Sequence, residues 1–359
     1  MKTVCIDARL YGIAHTGIGR YTENLILNLP SDPNIQVVLI VSPENINNPE
    51  LKSFTKYQAI YHPYHPLAQL EMPYLLFRIR PDLYHATDFT APIFWFGKTI
   101  ITIHDLIKVF FRGSHTTTKN PFFYWLKYFW YRFNIWLDVH KARHLIVPSK
   151  YWQDQLIRRY HLAPEKVSVT YEGIPAAYLH PAPADTLVSY PKPYLVHTGN
   201  LYPHKNIDVV IKALDQLQGK VGLVLIGARD VFSARIPRRD YITYLGRLPD
   251  IQVIDCYRQA VAYVYPSLME GFGLQGLEAM AVGTPVIAAQ ASCLPEIYGP
   301  AALYFNPYDP ADLVEMITKI HTDFSLRKNL IQKGRSRIKM FSWSKMSRQT
   351  WTIYPRQLH

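Results

Sequence analysis

A chain of 359 residues, 48% hydrophobic and 14% aromatic, is long enough for two packed domains and too apolar to be disordered. Its three cysteines, Cys5, Cys256 and Cys293, are odd in number and far apart, which argues against a disulfide framework or a Cys-based metal site and suits a reducing cytoplasm. Asp7 and Arg9 come too early for a secretory signal, and no apolar run approaches the ~18–20 residues of a membrane span. The net charge of +12 is shared, Lys and Arg exceeding Asp and Glu by six in residues 1–183 and by six beyond, and suits an anionic membrane, a phosphorylated ligand or nucleic acid.

Residues 3–6 are a β-type run of the kind that opens a Rossmann-like domain. Thr16-Gly-Ile-Gly-Arg-Tyr-Thr22 follows, then apolar residues at helical spacing through Leu25 and Leu29. Gly17 and Gly19, between strand and helix, would let main-chain N–H groups approach an anion, although Gly-x-Gly alone also describes a tight turn. Residues 36–41 read as a second strand and 42–66 as loop, punctuated by Pro43, Pro49, Pro63 and Pro66. A short strand begins at 81–85, and another covers 98–103 and ends in His104-Asp105. A polar residue at the carboxyl end of a parallel strand points into the crevice where doubly wound sheets bind ligands, so His104 is a site candidate. A lone histidine is otherwise most often a satisfied structural residue.

Residues 108–143 are the least ordinary part. Twelve aromatics lie from Phe110 to Trp136, while Lys108, Arg112, Lys119, Lys127, Arg132, Lys141 and Arg143 stand against Asp138 alone. Two readings fit: an interfacial helix on anionic lipid, or a buried helix of a Rossmann-like domain. Stacking on single-stranded nucleic acid has no accompanying RNA-binding signature, so no nucleic-acid partner is expected. Ser149 caps a helix over 151–160, residues 167–170 form a strand, and the proline-dense 180–193 reads as an interdomain linker.

A second strand–glycine turn–helix unit begins at 194–197, with Thr198-Gly-Asn-Leu-Tyr-Pro-His-Lys-Asn206 leading into a helix over 207–217. Lys205 at that helix mouth would neutralise a phosphate, or is a plain surface lysine. Strands are expected at 221–226 and 242–245, and helices at 313–320 and 326–338. From Lys319 to Arg348 nine cations face only Asp323, a second basic surface.

The most informative stretch is 266–289. A buried strand over 261–265 stops at Pro266, a helix covers 274–282 with Gly283 as its C-terminal glycine, and 286–289 is the next strand, together a βαβ unit. Gly271 and Gly273 bare the backbone at the helix mouth. Glu270 precedes it, and Glu278 lies about one turn inside. Beside a phosphate these carboxylates would accept hydrogen bonds from sugar or ribose hydroxyls. Taken singly, each is also readable as a helix-start or surface glutamate.

Glu270-Gly-Phe-Gly-Leu-Gln-Gly-Leu-Glu278, with its flanks, resembles the paired-glutamate motif of the retaining GT-B glycosyltransferases, specifically glycosyltransferase family 4; Gln275 stands where that family usually has Pro. The resemblance extends over nearly the whole chain, with regions 16–22, 102–105, 198–206 and 266–289 specific. It implies two Rossmann-like α/β domains facing across a cleft, 1–183 on the acceptor side and 184–340 binding the nucleotide-sugar, with 341–359 a helix crossing back to the first. His104, Lys205 and Glu270 would be catalytic. Gly17, Gly19, Asn200, Lys205, Arg247, Leu248, Glu270, Gly271, Phe272, Gly273, Leu274 and Glu278 would bind the donor: the glycines the diphosphate, main-chain groups of Arg247 and Leu248 the nucleobase, Glu270 the sugar and Glu278 the ribose. His104 would sit beside the transferred sugar, and His85 towards the acceptor. Where many members carry an Arg before the lysine, Thr198, Gly199 and Asn200 stand here, leaving phosphate binding to Lys205, backbone amides and a cation such as Arg229.

The implied reaction is hexosyl transfer with retention from a nucleotide-sugar to a lipid-linked or oligosaccharide acceptor, in surface polysaccharide or glycolipid synthesis. It would run without cofactor or metal, in the cytoplasm or peripherally at the inner membrane face. The chain contains no Asp-x-Asp. The Gly-Ile-Gly-Arg-Tyr-Thr and Ile-His-Asp-Leu runs and Gly-Asn-Leu-Tyr-Pro-His-Lys-Asn are similar to bacterial mannosyltransferases, which favours GDP-mannose over UDP-glucose or UDP-N-acetylglucosamine. A nucleotide-sugar epimerase and a non-catalytic binding protein on a transferase scaffold are the rivals.

Overall fold

The computed structural model describes residues 1–12, 16–113, 121–181, 193–229 and 231–358. The chain divides into two compact units: Met1–Val109, Lys119–Gly173 and Ser342–His359 form one, Phe110–Thr118 and Ile174–Phe341 the other. Each is built on a parallel sheet.

In the N-terminal unit the strands are β1 (Lys2–Ala8), β2 (Ile35–Val41), β3 (Thr55–Gln58), β4 (Leu83–Ala86), β5 (Thr99–Thr102), β6 (His144–Val147) and β7 (Val167–Val169), in the order β3-β2-β1-β4-β5-β6-β7. The C-terminal unit has β8 (Tyr194–Thr198), β9 (Gly222–Ile226), β10 (Ile242–Gly246), β11 (Ala262–Tyr265), β12 (Val286–Ala289) and β13 (Ala302–Phe305), ordered β10-β9-β8-β11-β12-β13. Its six strands repeat the doubly wound order of β1 to β6, the first sheet adding β7 at its edge. In each, the order reverses beside the first strand, so the crevice for a ligand lies past the carboxyl ends of β1 and β4, and of β8 and β11.

The central strands are short apolar runs buried on both faces, as a sheet covered by helices requires; β4, β5, β6, β11 and β12 are buried at every position. β3, with the sequence Thr-Lys-Tyr-Gln, is the half-exposed edge of its sheet and lies in a stretch that reads as loop.

Helix Trp343–Leu358 belongs to the N-terminal unit, where Trp351, Ile353, Tyr354 and Leu358 join the core built on Val4, Ile6 and Leu39. The division falls at Gly173, ten residues before 183. Ile174 and Tyr178 are buried, and Tyr178 OH donates to Asp250 Oδ1 at 3.4 Å and packs on Tyr257. Most of the expected linker, 182–192, lies outside the described residues. One placement is corrected: the helix begins at Thr16, so Gly17 and Gly19 sit in its first turn rather than before it, Gly17 exposed and Gly19 buried.

Candidate active site

The residues singled out in the sequence fall into two groups, one per unit. In the C-terminal unit, β8 and β11 are neighbours, pairing Leu195 with Ala262 and Val196 with Tyr263, so the turns leaving their carboxyl ends meet. The first turn, Pro203–Lys205, closes at Asn206, whose backbone is left-handed (φ 54°) and whose Nδ2 donates to the Pro266 and Pro307 carbonyls at 3.3 and 2.8 Å. The Leu268 N–H donates to the His204 carbonyl at 2.8 Å. These ties place Lys205 Nζ 2.7 and 2.9 Å from Glu270 Oε1 and Oε2, with both side chains largely buried.

Burial alone would raise the Glu270 carboxyl; the Lys205 charge and its two hydrogen bonds outweigh that and hold it below the usual carboxylate range. Burial and the Lys205 charge push His204 down to about 4, so it is neutral beside the pair. An ammonium has three N–H donors and a carboxylate about four acceptor positions. With two donors of Lys205 on Glu270, one donor of the ammonium remains for another anion.

Glu270 to Gly273 form the turn into helix Leu274–Ala281. The Glu270 N–H donates to Ser292 Oγ at 3.2 Å, and the buried Cys293 Sγ lies 3.3, 3.6 and 3.4 Å from the carbonyls of Glu270, Gly271 and Phe272. A trans peptide points its C=O and the following N–H in opposite directions. The N–H groups of Gly271, Phe272 and Gly273 therefore face away from the thiol, the arrangement an anion at a helix mouth needs. Gly273 caps the helix at φ 97°, and a Cβ there would stand 2.7 Å from Tyr298 OH, which donates to the Gly273 carbonyl at 2.6 Å. The helix ends as the sequence reads: Gly283 is left-handed (φ 85°), its N–H on the Met280 carbonyl and that of Thr284 on Ala279. Glu278 is buried inside this helix.

Asn200 is exposed past β8, while Arg247 is exposed and Leu248 half-buried past β10. Thr198, beside the position of the absent arginine, is held in a tyrosine cluster, Oγ1 2.6 Å from Tyr257 OH. Arg229, one cation the sequence offers in its place, stacks over the Tyr244 ring at 5.5 Å, before the 246–250 turn.

In the N-terminal unit, His104 follows β5 and is buried. Its Nε2 is 3.0 Å from the Thr87 carbonyl, its Nδ1 is 3.7 Å from Glu172 Oε1, and the Tyr21 ring meets it edge-on at 4.7 Å. Burial pulls its pKa down, but Glu172, the Asp88 charge and the Thr87 carbonyl together raise it above the ordinary value. His85 is a different case. It is fully buried, with Nδ1 2.8 Å from Tyr354 OH and Nε2 2.9 Å from Thr102 Oγ1, and burial pushes it down to about 3. It is a neutral core tie to the C-terminal helix, not an acceptor-side group.

Sequence reasoning missed the roles of Ser292, Cys293 and Tyr298 in bracing the turn, and of Glu172 beside His104. All four are distant in sequence from the residue they serve.

Residues 15–178 match the family model described as Glycosyltransferase Family 4, and residues 183–337 that described as Glycosyl transferases group 1. The chain is 27% identical to O-antigen chain mannosyltransferase B of Escherichia coli, over 94% of this chain and 96% of that protein. It is also 27% identical to O-antigen chain mannosyltransferase RfbU of Salmonella typhimurium, over 65% of this chain and 69% of the other. Among solved structures, Anabaena HepE in complex with UDP and glucose is similar with a TM-score of 0.72 at 17% identity, over 99% of this chain and 100% of that one.

Proposed function

We propose that the chain, whose two halves match the models of Glycosyltransferase Family 4 and Glycosyl transferases group 1, is a GT-B glycosyltransferase of the family-4 type that transfers a hexosyl group from a nucleotide-sugar to a hydroxyl of a lipid-linked or oligosaccharide acceptor, with retention. The observation that carries this reading is the buried Lys205–Glu270 pair at the mouth of the Glu270–Gly273 turn. The third Lys205 donor and the amides of 271–273 take the donor diphosphate. The transition state resembles an oxocarbenium ion while negative charge grows on the departing phosphate, so a fixed cation and oriented amides lower the barrier most where that charge develops. Glu270 accepts from sugar hydroxyls, and Glu278 takes the ribose diol. Gly17 and Gly19 assist the diphosphate, Asn200 and Leu274 line the donor, and Arg247 and Leu248 meet the base. His104, its pKa held up by Glu172, acts on the transferred sugar.

Glu270 is committed to Lys205, which favours same-face attack, with the leaving phosphate accepting the acceptor's proton, over a covalent glycosyl-enzyme. Lys205 supplies the charge that a divalent metal provides elsewhere, so transfer is expected to survive EDTA. The mannosyltransferase relatives favour mannose as the transferred sugar, and GDP-mannose is the donor proposed on that basis; HepE, bound to UDP and glucose, keeps UDP-glucose as the second reading.

Incubation with GDP-mannose labelled at the anomeric carbon and an undecaprenyl-linked oligosaccharide tests this. An α-mannosyl product by NMR, absent in Glu270→Ala and Lys205→Ala, is the expected result. An inverted product, epimerised free donor, or binding without turnover across acceptors would overturn it.

A further inference from the structure

Helix Pro121–Lys141 buries one face in the N-terminal unit, through Tyr128, Ile135, Asp138 and Val139. An ordinary surface helix would present polar residues on the other face. Here Phe122, Leu126, Phe129, Trp130, Phe133 and Trp136 are each 48–72% exposed. The surface continues beyond the helix. Lys141 Nζ donates to the Pro92 and Ile93 carbonyls at 2.9 Å and lies 5.0 Å over the Phe96 ring, which is 84% exposed. Trp95 next to it packs edge-on against Phe77 of helix Ala68–Ile79, which also exposes Leu70 and Tyr74. Two helices and a loop thus each expose large apolar side chains and are linked through Lys141 on Phe96 and Phe77 on Trp95, more than singly scattered apolar residues would give.

We propose that this three-element face seats the protein on the headgroup layer of an anionic lipid bilayer. Charge selects the occupant. Arg78, Lys127 and Arg132 are exposed on the same elements, with Arg78 and Arg132 stacked on Tyr74 and Tyr128. The only carboxyl of helix 121–141, Asp138, is buried, and burial pushes it well above the usual carboxylate range. A second copy docked by the same face would oppose cations to cations; a bilayer of anionic phosphates complements them. Indole and phenyl rings flanked by Lys and Arg suit headgroup depth. No helix among the described residues is long and apolar enough to cross a membrane, so the face lies on the bilayer. The inference stands on the N-terminal unit alone and does not depend on the donor reading.

Co-sedimentation of the full chain with vesicles of equimolar phosphatidylcholine and phosphatidylglycerol, and with phosphatidylcholine alone, tests it. The wild type is expected to bind the anionic vesicles, more weakly in high salt and on the zwitterionic ones. The triple variant Phe129→Ser/Trp130→Ser/Phe133→Ser should lose at least about tenfold in affinity, and Phe96→Ser, on the loop, should lose several-fold as well. All four side chains are exposed, so an unchanged melting temperature verifies the fold of each variant. Failure of the wild type to bind, or unchanged binding by the triple variant, would overturn the proposal. So would a lipid-free wild-type dimer that the triple variant dissolves, which would make the face a self-association surface.

Discussion

At the scale of single residues, the account turns on two buried charge contacts. The first is Lys205–Glu270. Removing one partner of such a pair strands the other in a poorly solvated site, at a typical cost of about 3–5 kcal/mol. Glu270→Ala and Lys205→Ala should therefore both lower the urea midpoint, and the double variant should cost clearly less than their sum. Additive losses would mean the pair is not coupled. The second contact is His104–Glu172. A raised pKa means the folded chain holds this proton more tightly than the unfolded chain does. The resulting stability is complete below the ordinary value of 6.5 and is lost as the pH rises through the folded value. In Glu172→Gln, NMR titration should show His104 titrating lower, and the stability loss above 6.5 should flatten. A His104 titration unmoved by that substitution would contradict the assignment.

At the scale of elements, the sequence was most legible where local chemistry and burial agree. The strand–turn–helix over 261–289 was readable because an apolar run stops at Pro266 and Gly283 closes the helix; the observed helix is Leu274–Ala281. Ser149 was readable as a cap because its side chain has one task there, accepting from Trp152 N–H. β3 was not, because an edge strand buries little and shows no apolar run. The aromatic run at 121–141 fitted both a buried and an interfacial helix, since periodicity does not say what covers a face. The brace around the Glu270 turn was unreadable because it is assembled from β12's following loop. Gly276 provides a test of that brace: a Cβ there would collide with the Tyr298 ring that bonds the Gly273 carbonyl. Gly276→Ala should thus destabilise by about 1–3 kcal/mol and weaken nucleotide binding, whereas Gly283→Ala, with open space at its Cβ, should affect stability alone. Helix Trp343–Leu358 is tied to the sheet by Tyr354 OH on His85, so Tyr354→Phe should cost about 1–3 kcal/mol by leaving a buried ring nitrogen unpaired. An unchanged unfolding free energy would show that the tie is dispensable.

At the scale of the whole molecule, the chain uses one sheet order twice and specialises each copy at the same end. In the C-terminal unit, the loops after its first and fourth strands hold Lys205 and Glu270. In the N-terminal unit, the loops after β4 and β5 hold Asp88 and His104. The basic excess spread over both halves is what the proposed diphosphate binding and the proposed seat on anionic headgroups would use. The central claim is that Lys205 and the Glu270 turn grip the donor, and isothermal titration of GDP and GDP-mannose measures it most directly. The account predicts that Lys205→Ala weakens both ligands by about 10- to 100-fold, the worth of a charge-assisted hydrogen bond, while Glu270→Gln weakens GDP-mannose far more than GDP. Wild-type affinity for both ligands in folded Lys205→Ala and Glu270→Gln would contradict it.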